Sequence, residues 1–288
     1  MIQTYIYTQT GHNFGLEGLR RGVAIYKQFT KIEPILATAD FRAASFAKDE
    51  MGVKKGVGVD IITALPHLMT RRDILIYDSK EASEFTKEHM KDFCTILLEI
   101  GVDIPNDIVD EDFFEHINTK RDKCFFFADD DYEDEIMNIL TIDSKKHDMD
   151  CLMGHYFFMG HDEKLKEYFN EIIEEEDYKQ TIKETKYLLS SSVNACIESL
   201  AAGNKPVFFL RQIKDFKGNL DLLEKYNIPI VNGTDLNEIV LNFEKTIKNY
   251  PKTNEIKKID ISEIIKNIEN TSEKFEKVLG NTMHKVID

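Results

Sequence analysis

The chain has 288 residues, of which 42% are hydrophobic, which is enough apolar material for two modest domains with their own cores. Its 37 lysines and arginines against 52 aspartates and glutamates give a net charge of −15, which argues against a nucleic-acid partner and an anionic membrane surface. No apolar run approaches the roughly 20 residues that a membrane-spanning helix needs, so we expect no integral membrane segment and a cytoplasmic location.

Strands and helices alternate through the first hundred residues. Residues 2–7 form the first predicted strand, and an apolar stripe from Phe14 to Lys27 predicts the first helix. Further strands are predicted at residues 33–38, around Val57, at 73–77 and at 95–101, and helices at 40–51, 60–69 and 81–93. Such alternation predicts a parallel sheet that is covered by helices on both faces.

The loop after the first predicted strand contains Gly11, His12 and Asn13. A neutral imidazole can take a proton from a hydroxyl group near neutral pH, whereas the alternative is a loop histidine that only caps a backbone group. Asp78 and Ser79 end a later strand of the same predicted sheet. They therefore lie at the same carboxyl edge as His12 and are candidate groups on the acceptor side, together with Gly11 and Asn13.

The second half begins after a charged segment of little periodicity, residues 104–123, which we interpret as the connection between two domains. We place the first domain at residues 1–118, the second at 119–260 and a terminal helix at 261–288. The second half is predicted to contain strands at 123–128, 150–158, 187–189, 206–209 and 228–231, and helices at 132–140, 162–171, 178–184, 195–201, 216–226 and 235–249.

Three consecutive aspartates, Asp129, Asp130 and Asp131, follow the first strand of this half. Consecutive aspartates can bind Mg²⁺ through one or two oxygens, and the alternative is that they cap the helix at 132–140, where negative charge is favourable. We assign no metal site, because the spacing of the neighbouring histidines matches no ligand motif. Those histidines are His147, His155 and His161.

Residues 187–209 predict a strand, a small-residue turn, a helix and a second strand, which together make one βαβ unit. The turn consists of Ser190, Ser191 and Ser192, side chains that favour turns and helix N-caps. Gly203 stands where a helix C-cap belongs, just before Pro206. The serine turn therefore lies at the carboxyl end of a parallel strand and at a helix N-terminus, a position that attracts anions such as phosphate.

The helix of this unit carries a recognisable pattern, with Glu198, Ala201, Gly203 and Pro206 at the spacing E-x-x-A-x-G-x-x-P. It resembles the donor-binding segment of GT-B-type glycosyltransferases, in particular the relatives of the lipid II-forming N-acetylglucosaminyltransferase and of the UDP-sugar hydrolase of pseudaminic acid synthesis. The same families place a glycine-histidine pair in the first loop, as Gly11 and His12 do here. The resemblance implies an α/β, GT-B-like fold of two Rossmann-like domains with parallel sheets and an inter-domain cleft.

The resemblance also implies roles for individual residues. His12 would be the catalytic base, Glu198 would hold the ribose hydroxyls of a uridine nucleotide, and the terminal helix would pack back on the first domain. Arg211 and Lys214 would neutralise the diphosphate, although a solvated basic loop is the alternative for both. The donor-binding residues implied by the resemblance are Ser190, Ser191, Ser192, Asn194, Glu198, Gln212 and Asn219. The alternative is an ordinary βαβ unit that binds no nucleotide, since this arrangement is common in α/β proteins.

The function implied is that of a glycosyltransferase or UDP-sugar hydrolase acting on an amino sugar in the synthesis of a cell-surface glycan. The nucleotide-sugar would be a substrate rather than a cofactor, and the sequence does not predict the acceptor. A second reading is a catalytically silent GT-B-fold protein that binds a nucleotide-sugar or a partner protein. The acidic turn at Asp129 favours it, because the relatives have a glycine-rich turn there.

Overall fold

A computed structural model describes residues 2–115, 117–131, 133–140, 145–157, 160–212 and 220–284. The chain forms two α/β units. Unit 1 consists of the described residues of Met1–Gly11, Gly18–Asp110 and Ile259–Asp288. Unit 2 consists of the described residues of His12–Glu17 and Glu111–Lys258, so the short loop segment after the first strand is grouped with the second half of the chain.

Unit 1 is built on a five-stranded sheet in which every pairing of strands is parallel, in the order β3-β2-β1-β4-β5. The central strand is buried along its whole length, as the apolar sequence from Tyr5 to Tyr7 requires. This strand order is that of a Rossmann-like half. The strands are β1 (Thr4–Thr8), β2 (Ile35–Thr38), β3 (Gly56–Gly58), β4 (Ile74–Asp78) and β5 (Ile96–Glu99).

Two helices of unit 1 begin at polar caps that the sequence supplies. Asp40 accepts a hydrogen bond from the backbone N–H of Ala43 at 2.9 Å, and Ser83 caps the following helix in the same way. The last helix is fixed by Glu269, whose carboxylate accepts from the backbone N–H groups of Thr30 and Lys31. The helices are α1 (Glu17–Tyr26), α2 (Phe41–Glu50), α3 (Glu84–Phe93) and α10 (Ser262–His284), with a 3-10 helix at Ile62–His67.

Unit 2 contains a six-stranded sheet, again with parallel pairings throughout, in the order β11-β10-β9-β6-β7-β8. The two central strands pair in the register Phe126 to Ser190, which brings the ends of both strands to one edge of the sheet. The strands are β6 (Arg121–Phe126), β7 (Asp150–Leu152), β8 (Ile172–Ile173), β9 (Thr185–Ser190), β10 (Lys205–Phe209) and β11 (Ile230–Val231).

The core of unit 2 is rich in phenylalanine. The ring of Phe125 stacks on Phe169 and Phe209, with ring centroids 5.3 and 5.4 Å apart. The surrounding helices are α4 (Glu135–Ile139), α5 (His161–Leu165), α6 (Tyr178–Glu184), α7 (Val193–Ala201), α8 (Leu220–Tyr226) and α9 (Leu236–Lys248), with 3-10 helices at Glu111–Phe114 and Glu175–Asp177. Among the described residues, none of the helices has the length and apolar character to span a membrane.

The predicted strand at 150–158 is wrong beyond Leu152. A Cβ on Gly154 would lie 2.1 Å from the carbonyl oxygen of Ala128, so only glycine allows the chain to pass so close to the end of β6. The backbone N–H of Tyr156 then donates to the carbonyl of Asp129 at 3.0 Å. Residues 153–157 therefore belong to a turn that packs over the end of the sheet, and residue 158 of the predicted strand lies outside the described residues.

Two predicted helices are also shorter than their patterns indicate. The helix predicted at 162–171 ends at Leu165, because residues from Glu171 to Ile173 pair with β7 as a short strand. The helix predicted at 60–69 is a 3-10 helix that contains Pro66, a residue that lacks the N–H for an α-helical hydrogen bond.

Candidate functional site

The predicted serine turn lies at the carboxyl end of β9, in the middle of the sheet of unit 2. Ser192 is the N-cap of α7, and its Oγ accepts from the backbone N–H of Ala195 at 3.2 Å. The Oγ of Ser190 accepts from the backbone N–H of Ser192 at 3.0 Å. The first bond confirms that the serine turn supplies the N-cap, and α7 begins at Val193, two residues before the predicted start. Together the two bonds fix the shape of the turn.

Ser191 differs from its two neighbours. Its side chain is fully buried, and its Oγ has no hydrogen-bond partner among the described residues. A buried hydroxyl without a partner is uncommon in folded proteins, because it loses its bonds to water and receives none in return. The turn therefore contains one hydroxyl group that is able to form a hydrogen bond with a ligand.

A carboxylate already lies against this helix N-terminus. The Oγ of Ser192 donates a hydrogen bond to Oε1 of Glu17 at 2.7 Å, and the backbone N–H of Asn194 points at the same oxygen from 3.5 Å. Glu17 is the first residue of α1 and the last residue of the segment His12–Glu17 that is grouped with unit 2. The sequence does not single out Glu17, since an acidic residue in the first turn of a helix is common for electrostatic reasons.

Glu198 is 2% exposed and is held by a buried tyrosine. Its Oε2 accepts from the hydroxyl of Tyr178 at 2.5 Å, and the ring of Tyr178 packs edge-on against Phe126 with centroids 5.3 Å apart. The hydrogen bond joins α6, which carries Tyr178, to α7 and so holds the Glu198 carboxylate in one position. Tyr178 lies twenty residues before Glu198, and no pattern in the sequence indicates that the two side chains meet.

His12 packs against an aromatic side chain of unit 2. Its ring centroid is 5.0 Å from that of Tyr156, which in turn lies 4.8 Å from the ring of His155. Gly15 has a φ of +69°, and a Cβ there would come within 3.2 Å of Asp129, so a glycine is needed for the loop to approach the acidic turn. Asn13, the other predicted member of this loop, is exposed.

The acidic turn is buried, and Asp130 and Asp131 have polar partners within unit 2. Asp131 accepts from the backbone N–H groups of Glu135 and Ile136, at 2.7 and 3.3 Å, and so caps α4 as one alternative predicted. Burial raises the pKa of Asp131 to about 7, although the two N–H bonds and Arg211 act in the opposite direction.

Arg211 supplies positive charge beside the acidic turn. Its guanidinium is 4% exposed and forms ion pairs with Asp130 at 3.0 Å and Glu135 at 2.7 Å. It also lies over the ring of Phe127, 4.3 Å from the centroid. In this structure its donors are directed to carboxylates of the protein, and its predicted role toward a diphosphate stays a prediction.

Three side chains next to the acidic turn have the geometry for a metal ion. Asp131, Asp134 and His161 each place one potential ligand atom within 4.8 Å of the others. His161 Nε2 lies 3.0 Å from Oδ1 of Asp134, and Asp131 caps α4. These contacts explain the cluster without an ion.

The predicted acceptor-side residues of unit 1 lie at the carboxyl edge of its sheet. Asp78 ends β4 and accepts from Nε of Arg21 at 2.8 Å. Ser79 accepts from the backbone N–H of Glu81, and Gly11 has a φ of +126°. Gly11, Asp78 and Ser79 therefore belong to unit 1, whereas His12 and Asn13 belong to unit 2.

The loop after β10 is described only in part. Gln212 donates from its backbone N–H to Oε1 of Glu135 at 3.2 Å and from Nε2 to the carbonyl of Gly233 at 3.3 Å. Its predicted contact with a donor sugar stays a prediction. Lys214 and Asn219 lie outside the described residues.

No family model and no curated protein matches the sequence. Solved structures do match in fold. UDP-N-acetylglucosamine 2-epimerase from Rickettsia bellii is 9% identical and superposes with a TM-score of 0.52 over 99% of this chain and 98% of its own. The chain has a GT-B-type fold. The E. coli heptosyltransferase WaaC with ADP-2-deoxy-2-fluoro heptose is also 9% identical, with a TM-score of 0.43 over 87% of this chain and 100% of its own.

Proposed function

We propose that the protein binds a UDP-activated amino sugar through unit 2 and transfers the sugar to an acceptor or to water, as a glycosyltransferase or a UDP-sugar hydrolase of surface-glycan synthesis. The observation that carries the proposal is the serine turn. It combines a helix N-terminus, the carboxyl end of a central parallel strand and the buried, unpartnered hydroxyl of Ser191. A UDP-sugar is also the ligand class in the printed name of the epimerase that shares the fold.

The donor would be held by groups on α7. The diphosphate would accept from the N–H groups at Asn194 and from the serine hydroxyls, while Glu198 would accept from the ribose hydroxyls. Tyr178 supports this role, because its hydrogen bond keeps the carboxylate of Glu198 in one position before the ligand arrives. A fixed carboxylate loses less conformational freedom on binding than a mobile one.

In the chemical step, His12 would accept a proton from the hydroxyl of the acceptor or from water. The deprotonated oxygen would then attack the anomeric carbon, and the bond between that carbon and the diphosphate oxygen would break. The electron pair leaves with UDP, which gains one negative charge. The contact of His12 with the ring of Tyr156 orients the imidazole within unit 2.

The second candidate is a silent protein that binds a nucleotide-sugar or a partner without catalysis. The observation that favours it is the ion pairing of Arg211 with Asp130 and Glu135, which directs its guanidinium to the protein's own carboxylates. A transferase needs positive charge or N–H groups to stabilise the departing diphosphate.

Incubation with a panel of UDP-sugars separates the two candidates. The proposal expects free UDP together with released or transferred sugar. Replacing His12 by alanine should lower turnover by roughly 10² to 10⁴-fold with little change in donor affinity, because proton transfer contributes only in the transition state. His89→Ala, at an exposed position of α3, is the matched control and should keep full turnover. Binding of a UDP-sugar without turnover of any sugar would favour the silent protein.

A further inference from the structure

The carboxylate of Glu17 occupies the position at α7 where an incoming phosphate would find its hydrogen-bond donors. It accepts from the hydroxyl of Ser192 at 2.7 Å and lies 3.5 Å from the backbone nitrogen of Asn194. The two donors are the N-cap side chain and a first-turn N–H of α7, a helix of nine residues. A carboxylate at this place makes the interactions that a phosphate makes there, namely hydrogen bonds from the cap and attraction to the helix dipole.

Two anions cannot share these donors. A diphosphate oxygen placed at the N–H of Asn194 would lie within hydrogen-bond distance of the carboxylate that is already there. Because the surrounding turn is buried, the repulsion between the two groups would be screened less than at an open surface. One of the two therefore has to leave.

We infer that Glu17 is an internal competitor of the diphosphate, so that a nucleotide binds only when the Glu17 carboxylate moves away from α7. The inference rests on the proposed function, since it concerns the regulation of the same donor site. Glu17 is half-buried, which leaves its side chain a route to solvent. The buried hydroxyl of Ser191 stays in the turn as an additional donor for the phosphate once the carboxylate has left.

The inference predicts a difference between ligands with and without phosphate. Replacing Glu17 by glutamine keeps the size and the hydrogen-bond acceptor but removes the charge. UDP should then bind at least about tenfold more tightly, because a close like charge is removed. Uridine, which has no phosphate, should bind equally to both proteins. A change in the shape of the site would alter the affinity of both ligands, so the comparison separates charge from structure.

Isothermal titration calorimetry of UDP and of uridine tests this on the full chain and on three variants. Glu17→Gln and Glu17→Ala should both increase UDP affinity and leave uridine affinity unchanged. Glu224→Gln is the control, because it removes one negative charge from an exposed position of unit 2 and should change neither affinity.

The outcomes distinguish this inference from the proposal beneath it. Equal UDP affinity of the wild type and both Glu17 variants would overturn the competitor and leave the donor site standing. Weaker UDP binding by the Glu17 variants would also overturn it and would make Glu17 a ligand of the nucleotide. If neither the wild type nor any variant binds UDP at millimolar concentration, both the proposed donor site and the competition by Glu17 are wrong.

Discussion

At the scale of single residues, the sequence predicts a ligand-binding role for Glu198, whereas the structure shows its carboxylate buried and hydrogen-bonded to Tyr178. The pattern around α7 singles out Glu198, and the helix that carries it is confirmed. The sequence could not indicate that the carboxylate is buried and bonded to Tyr178, since this contact depends on how α6 packs on α7. A ligand role and a structural role therefore have to be separated by experiment.

Replacing Glu198 by alanine should weaken UDP binding by about 1 to 3 kcal/mol, the range for losing a hydrogen bond to a charged group. It should also lower the free energy of unfolding by a similar amount, because the buried hydrogen bond between Tyr178 and Glu198 is lost. Tyr178→Phe is the matched control, as it breaks the same bond but keeps the carboxylate. Calorimetry that finds equal UDP affinity for Glu198→Ala and wild type would leave Glu198 with the structural role alone.

At the scale of elements, the acidic turn is explained by the helix that follows it. The sequence predicted that α4 starts at residue 132, whereas the helix begins at Glu135 because Asp131 directs its carboxylate to the N–H groups of Glu135 and Ile136. Asp134, just before the helix, has a left-handed φ of 54°. Side-chain caps and single left-handed residues shift a helix boundary in ways that apolar periodicity does not report.

The raised pKa of Asp131 predicts a pH dependence of stability. The folded protein holds a proton on Asp131 up to about pH 7, whereas an unfolded aspartate releases it near a pKa of about 4. The stability gained from the protonated Asp131 is therefore complete below pH 4 and is lost as the pH rises toward 7. Asp131→Asn mimics the protonated form. Relative to wild type, the variant should therefore become more stable by about 1 kcal/mol or more between pH 4 and pH 7.

Urea unfolding followed by circular dichroism at several pH values measures this difference. Asp221→Asn, at an exposed position in the first turn of α8, is the control and should show no comparable trend. A constant difference between Asp131→Asn and wild type across this pH range would contradict the assigned pKa.

Arg211 supports the same turn from the loop after β10. Replacing it by methionine removes the guanidinium that pairs with the buried carboxylates of Asp130 and Glu135. We expect the free energy of unfolding to fall by about 3 to 5 kcal/mol, as for other buried ion pairs that lose one partner. Arg71→Met, at an exposed turn of unit 1, should change it by less than about 0.5 kcal/mol. If chemical denaturation shows that Arg211→Met lowers the free energy of unfolding by less than about 1 kcal/mol, the ion pairs of Arg211 contribute little to stability.

At the scale of the whole molecule, the alternation of strands and helices was sufficient to predict two parallel sheets. Local periodicity and the parallel-sheet rules decide this level of structure, and both sheets have the Rossmann-like strand order. The donor-side contacts could not be predicted in the same way. Ser192 and Glu17 are 175 positions apart in the sequence, and no local pattern records a contact over that distance.

The loop that carries His12 illustrates the same limit. The sequence assigns residues 12–17 to the first domain, because they follow the first strand without a break. The structure groups them with unit 2, where His12 meets Tyr156 and Gly15 approaches Asp129. This grouping depends on packing between segments that are distant in the sequence.

A crystal structure of the protein soaked with UDP tests the central claim, that α7 presents the donor site, most directly. The account predicts diphosphate oxygens within about 3.2 Å of the N–H of Asn194 and of a serine hydroxyl of the turn, with the uridine ribose at Glu198. Density for UDP at any other place, or an empty serine turn at a saturating concentration of UDP, would contradict it.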